Sequence, residues 1–169
     1  MQWKFVWVIG ITLASGRASG AECTQSFSGE WNRELAAGAT ADEAYHAAGS
    51  GWSDHIRVVQ EAGRITIESF FFSKSDLQPP LRFTYLPGQG AAGNVVMVGQ
   101  GVQRQESTAR WSGCRLVIST RFAGGAATAG SVTQTLWMES ADTLVVETAR
   151  DDAGPNRTIY RRVAVAGGM

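Results

Sequence analysis

Histidine and cysteine occur only twice each in the 169 residues, and lysine only as Lys4 and Lys74. Each scarcity excludes a chemistry. The two histidines, His46 and His55, are nine residues apart with Asp42 and Asp54 nearby, and a zinc site needs three or four protein ligands, so no metal and no cofactor are expected. Neither Cys-x-x-Cys nor Gly-x-Ser-x-Gly occurs, which removes the usual redox and nucleophile-elbow signatures. The longest apolar run, Phe5 to Ala14, has ten residues. A bilayer span needs about 20, so no stable membrane insertion is expected. Acidic and basic residues balance at 15 each, and without a basic face nucleic acid is not an expected partner.

The amino-terminal residues have the pattern of a secretory leader. Lys4 supplies the positive charge, Phe5 to Ala14 the apolar stretch, and Ala18-Ser19-Gly20 the small residues before a cleavage point ahead of Ala21. Residues 1–20 are therefore expected to be a signal peptide, 21–165 a single domain and 166–169 a disordered tail. The mature chain, with 13 basic and 15 acidic residues, would be secreted or periplasmic. In that oxidising compartment Cys23 and Cys114 are expected to pair, the alternative being two buried thiols. Closing a loop of that length is worth about 4–5 kcal/mol in the chain-entropy account.

Short β-rich runs recur, separated by turn residues. Strands are predicted near 29–36, 54–60, 63–70, 81–86, 94–100, 104–111, 114–122, 131–139, 142–149 and 157–163. In Cys114 to Phe122 the residues Leu116, Ile118 and Phe122 share one face, and Arg115, Ser119 and Arg121 share the other. That period of two, with one polar face, belongs to an antiparallel sheet wet on one side. Thr40-Ala41-Asp42-Glu43 fits a capping box, so one short helix is predicted over 41–48, ended by Gly49 and Gly51. The fold class expected is all-β, an antiparallel up-and-down barrel of about 8–10 strands with that helix in its first long loop. The alternative is a two-sheet sandwich.

In a regular meander the connections alternate between two ends. The segments 37–53, 71–80, 101–103, 123–130 and 150–156 fall at one end and are mostly long. The segments 61–62, 87–93, 112–113 and 140–141 fall at the other and are mostly short. The long-loop end is the expected mouth. Trp31, Arg161, Cys23 and Cys114 all fall at the short-loop end and are the expected structural staples there, with Arg162 replacing Arg161 if the register is shifted by one.

Gly29-Glu30-Trp31 on the first strand with Arg161 or Arg162 on the last resembles the signature of the calycins, the lipocalin-like barrels. The run from Val132 through Leu144-Val145-Val146 to Tyr160-Arg161-Arg162-Val163 is similar to short bacterial secreted lipocalin-like proteins, most of which have no assigned activity. The resemblance implies the barrel over roughly 27–165. No second lipocalin motif stands in the middle of the chain.

Three motifs carry less than they spell. Gly88-Gln89-Gly90-Ala91-Ala92-Gly93 matches a dinucleotide fingerprint, but a strand rather than a helix follows it, so a loop is expected. Ser53-Asp54-His55 has the residue types of a hydrolase, yet adjacent strand residues point to opposite faces. Phe70-Phe71-Phe72 enters the Pro79-Pro80 loop and is expected to cap it or to form an apolar lip. Strand alternation turns Phe71, Phe83, Tyr85, Met97, Ile118, Phe122, Gln134 and Leu136 inward, as an apolar lining with a few polar handles. The function expected is binding of a small apolar molecule. The alternative is a protein-binding module or inhibitor that uses the long-loop end over a solid core, and an enzyme ranks third.

Overall fold

A computed structural model describes residues 25–35, 49–70, 79–98, 101–122, 130–151 and 153–164, without the side chains of Met97 and Val98. The leader, Cys23, the predicted helix with His46, Phe71 and the tail lie outside the described residues. Ten strands follow one another: β1 (Gly29–Arg33), β2 (His55–Glu61), β3 (Arg64–Phe70), β4 (Leu81–Tyr85), β5 (Ala91–Val98), β6 (Gly101–Ser112), β7 (Arg115–Phe122), β8 (Ser131–Ser140), β9 (Thr143–Arg150) and β10 (Ala153–Arg162). All pair antiparallel in one sheet of order β4-β3-β2-β1-β10-β9-β8-β7-β6-β5. The first strand meets the last, so the chain forms a nearly closed up-and-down barrel. Among the described residues there is no helix.

The remaining gap lies between β4 and β5 and is bridged by a side chain. Asn94 Oδ1 accepts the Thr84 N–H at 2.7 Å, and Asn94 Nδ2 donates to the Thr84 carbonyl at 3.1 Å. One buried amide thus supplies the donor and acceptor that a neighbouring strand would have offered. Just beyond, the Gly88 N–H donates to the Ala109 carbonyl at 2.9 Å. Asn94→Ala should cost about 1–3 kcal/mol, the penalty of leaving part-buried main-chain groups unpaired. Amide hydrogen exchange should quicken at Thr84. Unchanged exchange there would show that the bridge holds nothing.

Several boundaries differ from the pattern-based expectation. The Gly-Ala stretch 88–93 was expected to be loop, but β5 starts at Ala91 because ladder pairing with β6 runs from Ala91↔Thr108 onward, regardless of side-chain size. For the same reason the β5–β6 connection is only 99–100. On the last strand, β10 begins at Ala153, with a register shift between Ala153 and Asn156. Pro155 sits inside that shift, where its missing N–H breaks no ladder bond.

The short-loop end is closed by Trp31, which is fully buried. Its Nε1 donates to the Phe27 carbonyl at 3.0 Å. Arg162, not Arg161, lies over the indole, its guanidinium carbon 4.1 Å from the ring centroid. The register decides this: Trp31 stands directly opposite Arg162, and residues directly opposite share a face. Arg161, opposite Asn32, turns outward instead to Glu34 at 2.7 Å and to the Thr143 hydroxyl at 2.7 Å. Arg162 also donates to the carbonyls of Ser28 (2.8 Å) and Ala141 (2.9 Å), which ties the chain before β1 to the β8–β9 turn. Gly29 explains itself here. Its φ is +147°, and a Cβ would run into the Arg162 guanidinium. Cys114 is exposed in the β6–β7 turn at this same end, while its expected pairing partner lies outside the described residues.

Above the Trp31 plug the inward side chains join one buried hydrophobic cluster. Ile56, Ile67, Leu116, Ile118, Leu136, Leu144 and Tyr160 are all fully buried. The outer wall carries a cross-strand charge row, Glu30–Arg57–Glu68–Arg82. Exposed pairs of this kind are worth about 0–1 kcal/mol each.

Candidate functional site

The upper half of the barrel is hollow. A cavity of about 270 Å³ opens towards the long-loop end. Its wall is built from alternate residues of six consecutive strands: Leu81, Phe83 and Tyr85 on β4, Val96 on β5, Gln105 on β6, Thr120 and Phe122 on β7, Val132 and Gln134 on β8, and Arg150 on β9.

The remaining wall is not strand. The segment 49–54, before β2, dips into the barrel and supplies Ser50, Gly51 and Trp52. Its main-chain groups are met by a polar network that the alternation of the strands delivers. Tyr160 on β10 donates its hydroxyl proton to the Ser53 carbonyl at 3.0 Å. It therefore accepts from Ser50 Oγ, 2.7 Å away. Ser50 Oγ in turn accepts the Trp52 N–H at 3.3 Å, and Gln134 Nε2 donates to the Ser50 carbonyl. On the other side, Ser69 Oγ accepts the Ser53 N–H at 2.8 Å. On β1, Arg33 stands directly opposite Tyr160 on the inward face and holds Asp54 at 3.0 Å. Gly51, at φ +89°, makes the turn. The net effect is to press Trp52 into the barrel, edge-on to Tyr85 with ring centroids 6.4 Å apart.

Burial pushes the Tyr160 hydroxyl up to about 12, partly offset by its hydrogen bond with Ser50. Burial raises Tyr85 as well, partly offset by the side chain of Trp52. Both phenols are therefore neutral hydrogen-bonding groups at physiological pH. Arg150 and Tyr85 are the ionisable side chains of the described lining. One further polar atom stands close by. Thr148 Oγ1, one inward position below Arg150 on β9, is buried with no hydrogen-bond partner among the described residues.

Of the residues predicted to line a cavity, Phe83, Tyr85, Phe122 and Gln134 do so. Ile118 and Leu136 also point inward, but they lie within the hydrophobic core cluster and outside the cavity lining. On β5 the buried positions are Ala92, Asn94 and Val96, and Val96 contributes to the lining. Phe71 and the side chain of Met97 lie outside the described residues.

Ser53-Asp54-His55 forms no triad. Ser53 Oγ donates to the main-chain carbonyl of His55 at 2.6 Å, Asp54 faces Arg33, and the His55 ring lies 2.7 Å from Asn32 Oδ1. Phe70 packs outside the barrel, its ring centroid 4.9 Å from that of His55. Trp52 and Arg150 were missed as lining residues. Trp52 follows a Gly-Ser-Gly turn in what reads as loop, and Arg150 falls one residue past the predicted end of its strand.

No known family pattern matches the chain, and no curated protein matches it in sequence.

Proposed function

We propose that this barrel is a lipocalin-like carrier or sensor working outside the cytoplasm, and that it takes a small, largely apolar molecule through the long-loop end. The observation that carries the reading is the cavity itself, walled by Trp52, Phe83, Tyr85 and Phe122 above a buried hydrophobic cluster. Four aromatic rings with a few fixed polar groups are what small-ligand sites are made of. At about 270 Å³ the space lies just under the usual range of such sites, so the ligand must be small. It equals about nine waters at ~30 Å³ each, which suits a guest of about ten non-hydrogen atoms. The lipocalin-like identity is supported by the Gly29, Trp31 and Arg162 closure of first strand on last.

Calorimetric titration with octan-1-ol, a neutral guest of the right size, tests the reading. Saturable binding at one site is expected, and it should shift the Trp52 indole N–H resonance. A folded protein that binds no such guest would remove the carrier reading in favour of a protein-binding module.

A further inference from the structure

The short-loop end carries a second cavity, which shares no lining residue with the first. It is a groove of about 360 Å³ between the β2–β3 turn, the β4–β5 connection and the end of β6. Strand parity builds its floor. Gln60 and Ile65 stand directly opposite one another, and Trp111 stands opposite buried Leu116, so all three take inward positions at this end of β2, β3 and β6. The walls are braced. Gln89 Nε2, in the β4–β5 connection, donates to the Gly63 carbonyl in the β2–β3 turn at 2.9 Å. Pro87 is bridged to Ala109 on β6.

Trp111 gives the groove an apolar surface. It is 39% exposed, whereas the other described aromatic residues are buried or half-buried. Fully buried Phe27 packs against its ring, with centroids 5.6 Å apart, and supports it from the core side.

The polar groups around it are fixed by the protein but only half used. Gln60 Oε1 accepts the Phe27 N–H at 3.0 Å, which sets the amide and leaves Nε2 without a partner among the described residues. Trp111 Nε1 has none among them either. Glu61 Oε2 takes both Arg64 Nε and Arg64 Nη2, so Glu61 Oε1 and Arg64 Nη1 remain. Ser26 Oγ accepts the Ser28 N–H at 3.1 Å and keeps its own proton to give.

This inventory selects a ligand chemistry. Glu61 and Arg64 are the charged residues of the lining, and they cancel. A carboxylate or an ammonium ligand would meet one of them and be opposed by the other. A wholly apolar guest would strip water from the spare donors and acceptor and return nothing. Hydroxyl groups both donate and accept, so they suit that mixed set, while Trp111, Ile65 and Pro87 call for an apolar face. A sugar ring has both, with C–H groups on its faces and hydroxyls at its edge. The groove equals about twelve waters at ~30 Å³ each, which suits one hexose ring of about twelve non-hydrogen atoms.

We infer that this groove binds a neutral saccharide, one pyranose ring lying against Trp111 with its hydroxyls bonded to Gln60, Glu61 and Arg64. The site is independent of what the upper cavity carries.

The test titrates the protein with the methyl pyranosides of glucose, galactose and mannose, and with glucuronate, glucosamine and cyclohexylmethanol. Affinity is read from the ligand's own resonances and the site from the Trp111 indole N–H. At least one neutral pyranoside should bind saturably, shift that resonance, and bind at least about tenfold more tightly than cyclohexylmethanol, which keeps the ring but lacks most hydroxyls. Glucuronate and glucosamine should bind more weakly than the neutral sugar. Trp111→Leu should weaken binding at least about tenfold through loss of the aromatic face. Because that residue also touches Phe27, a double variant, Glu61→Ala with Arg64→Ala, tests the polar half at exposed positions on the turn and should weaken binding likewise. Saturating octan-1-ol should leave sugar binding unaltered. The inference is overturned if none of the three pyranosides binds, if cyclohexylmethanol binds as well as they do, or if binding survives in both variants. Displacement of the sugar by octan-1-ol would also overturn it, by placing the sugar in the upper cavity.

Discussion

Trp31→Ala should lower the free energy of unfolding by about 3–5 kcal/mol, the range for truncating a large buried aromatic. The ring is fully buried and stands where the first strand meets the last. Removing it opens a void at the foot of the core, strips the Phe27 carbonyl of its indole donor and leaves the face of Arg162 without the ring beneath it. The three losses touch the same closure, so they are felt as one. Trp31→Phe separates them. It keeps an aromatic face for Arg162 and loses the N–H, so it should cost clearly less than the alanine variant. Urea unfolding followed by circular dichroism would measure both, with an unchanged dependence on denaturant indicating that only stability has moved. A loss under about 1 kcal/mol for Trp31→Ala would mean that the barrel does not depend on this plug.

The barrel is legible in the sequence because its physics is local. Inward and outward positions alternate strictly along β2, β3, β4 and β8, as in the buried Ile65, Ile67 and Ser69 between half-exposed Thr66 and Glu68. Turns such as 62–63 and 141–142 are short enough to impose antiparallel neighbours. Strand parity alone then places Trp31 and the last strand at one end. Parity also makes the choice between Arg161 and Arg162 a matter of one residue of register, which no composition can decide.

What was hidden depends on non-local geometry. Nothing in Asn94 advertises that its amide completes the barrel between β4 and β5, because the gap exists only once the other nine neighbouring pairs have formed. The polar residues Ser50, Ser53, Ser69 and Tyr160 read as ordinary strand and loop residues. They acquire meaning from meeting each other across up to 110 positions. That network folds a loop segment into the barrel and turns a closed cylinder into one with a shallow upper cavity. Arg150 was hidden by a boundary: ending its strand one residue early places it in a loop, whereas the ladder with Ala153 and Val132 places it on the inner wall.

The cavity makes its own strong demand on charge. Phe83→Asp should abolish binding of octan-1-ol, weakening it by at least about 100-fold, which corresponds to about 2.7 kcal/mol. Phe83 is buried on β4, opposite Ile67 within the barrel, and forms part of the cavity wall. A carboxylate there must either shed its water to let an apolar guest pack against it or keep that water and fill the cavity with it. Desolvating an ionised carboxylate costs several kcal/mol even after relaxation, so the second course wins and the guest is excluded. Protonation should reverse the effect in a definite direction. Burial raises a carboxyl pKa, so binding by the variant should begin to recover as pH falls towards that raised value. Wild type, with no carboxylate in the described lining, should show no such rise. Two controls keep folding apart from binding. Phe83→Leu should bind within a few-fold of wild type. Val95→Asp, a carboxylate on the outer face of the neighbouring β5 at a position 61% exposed, should leave binding unaltered. The Phe83→Asp protein must still melt cooperatively, and if it does so while binding the alcohol as tightly as wild type, the cavity is not where the guest goes.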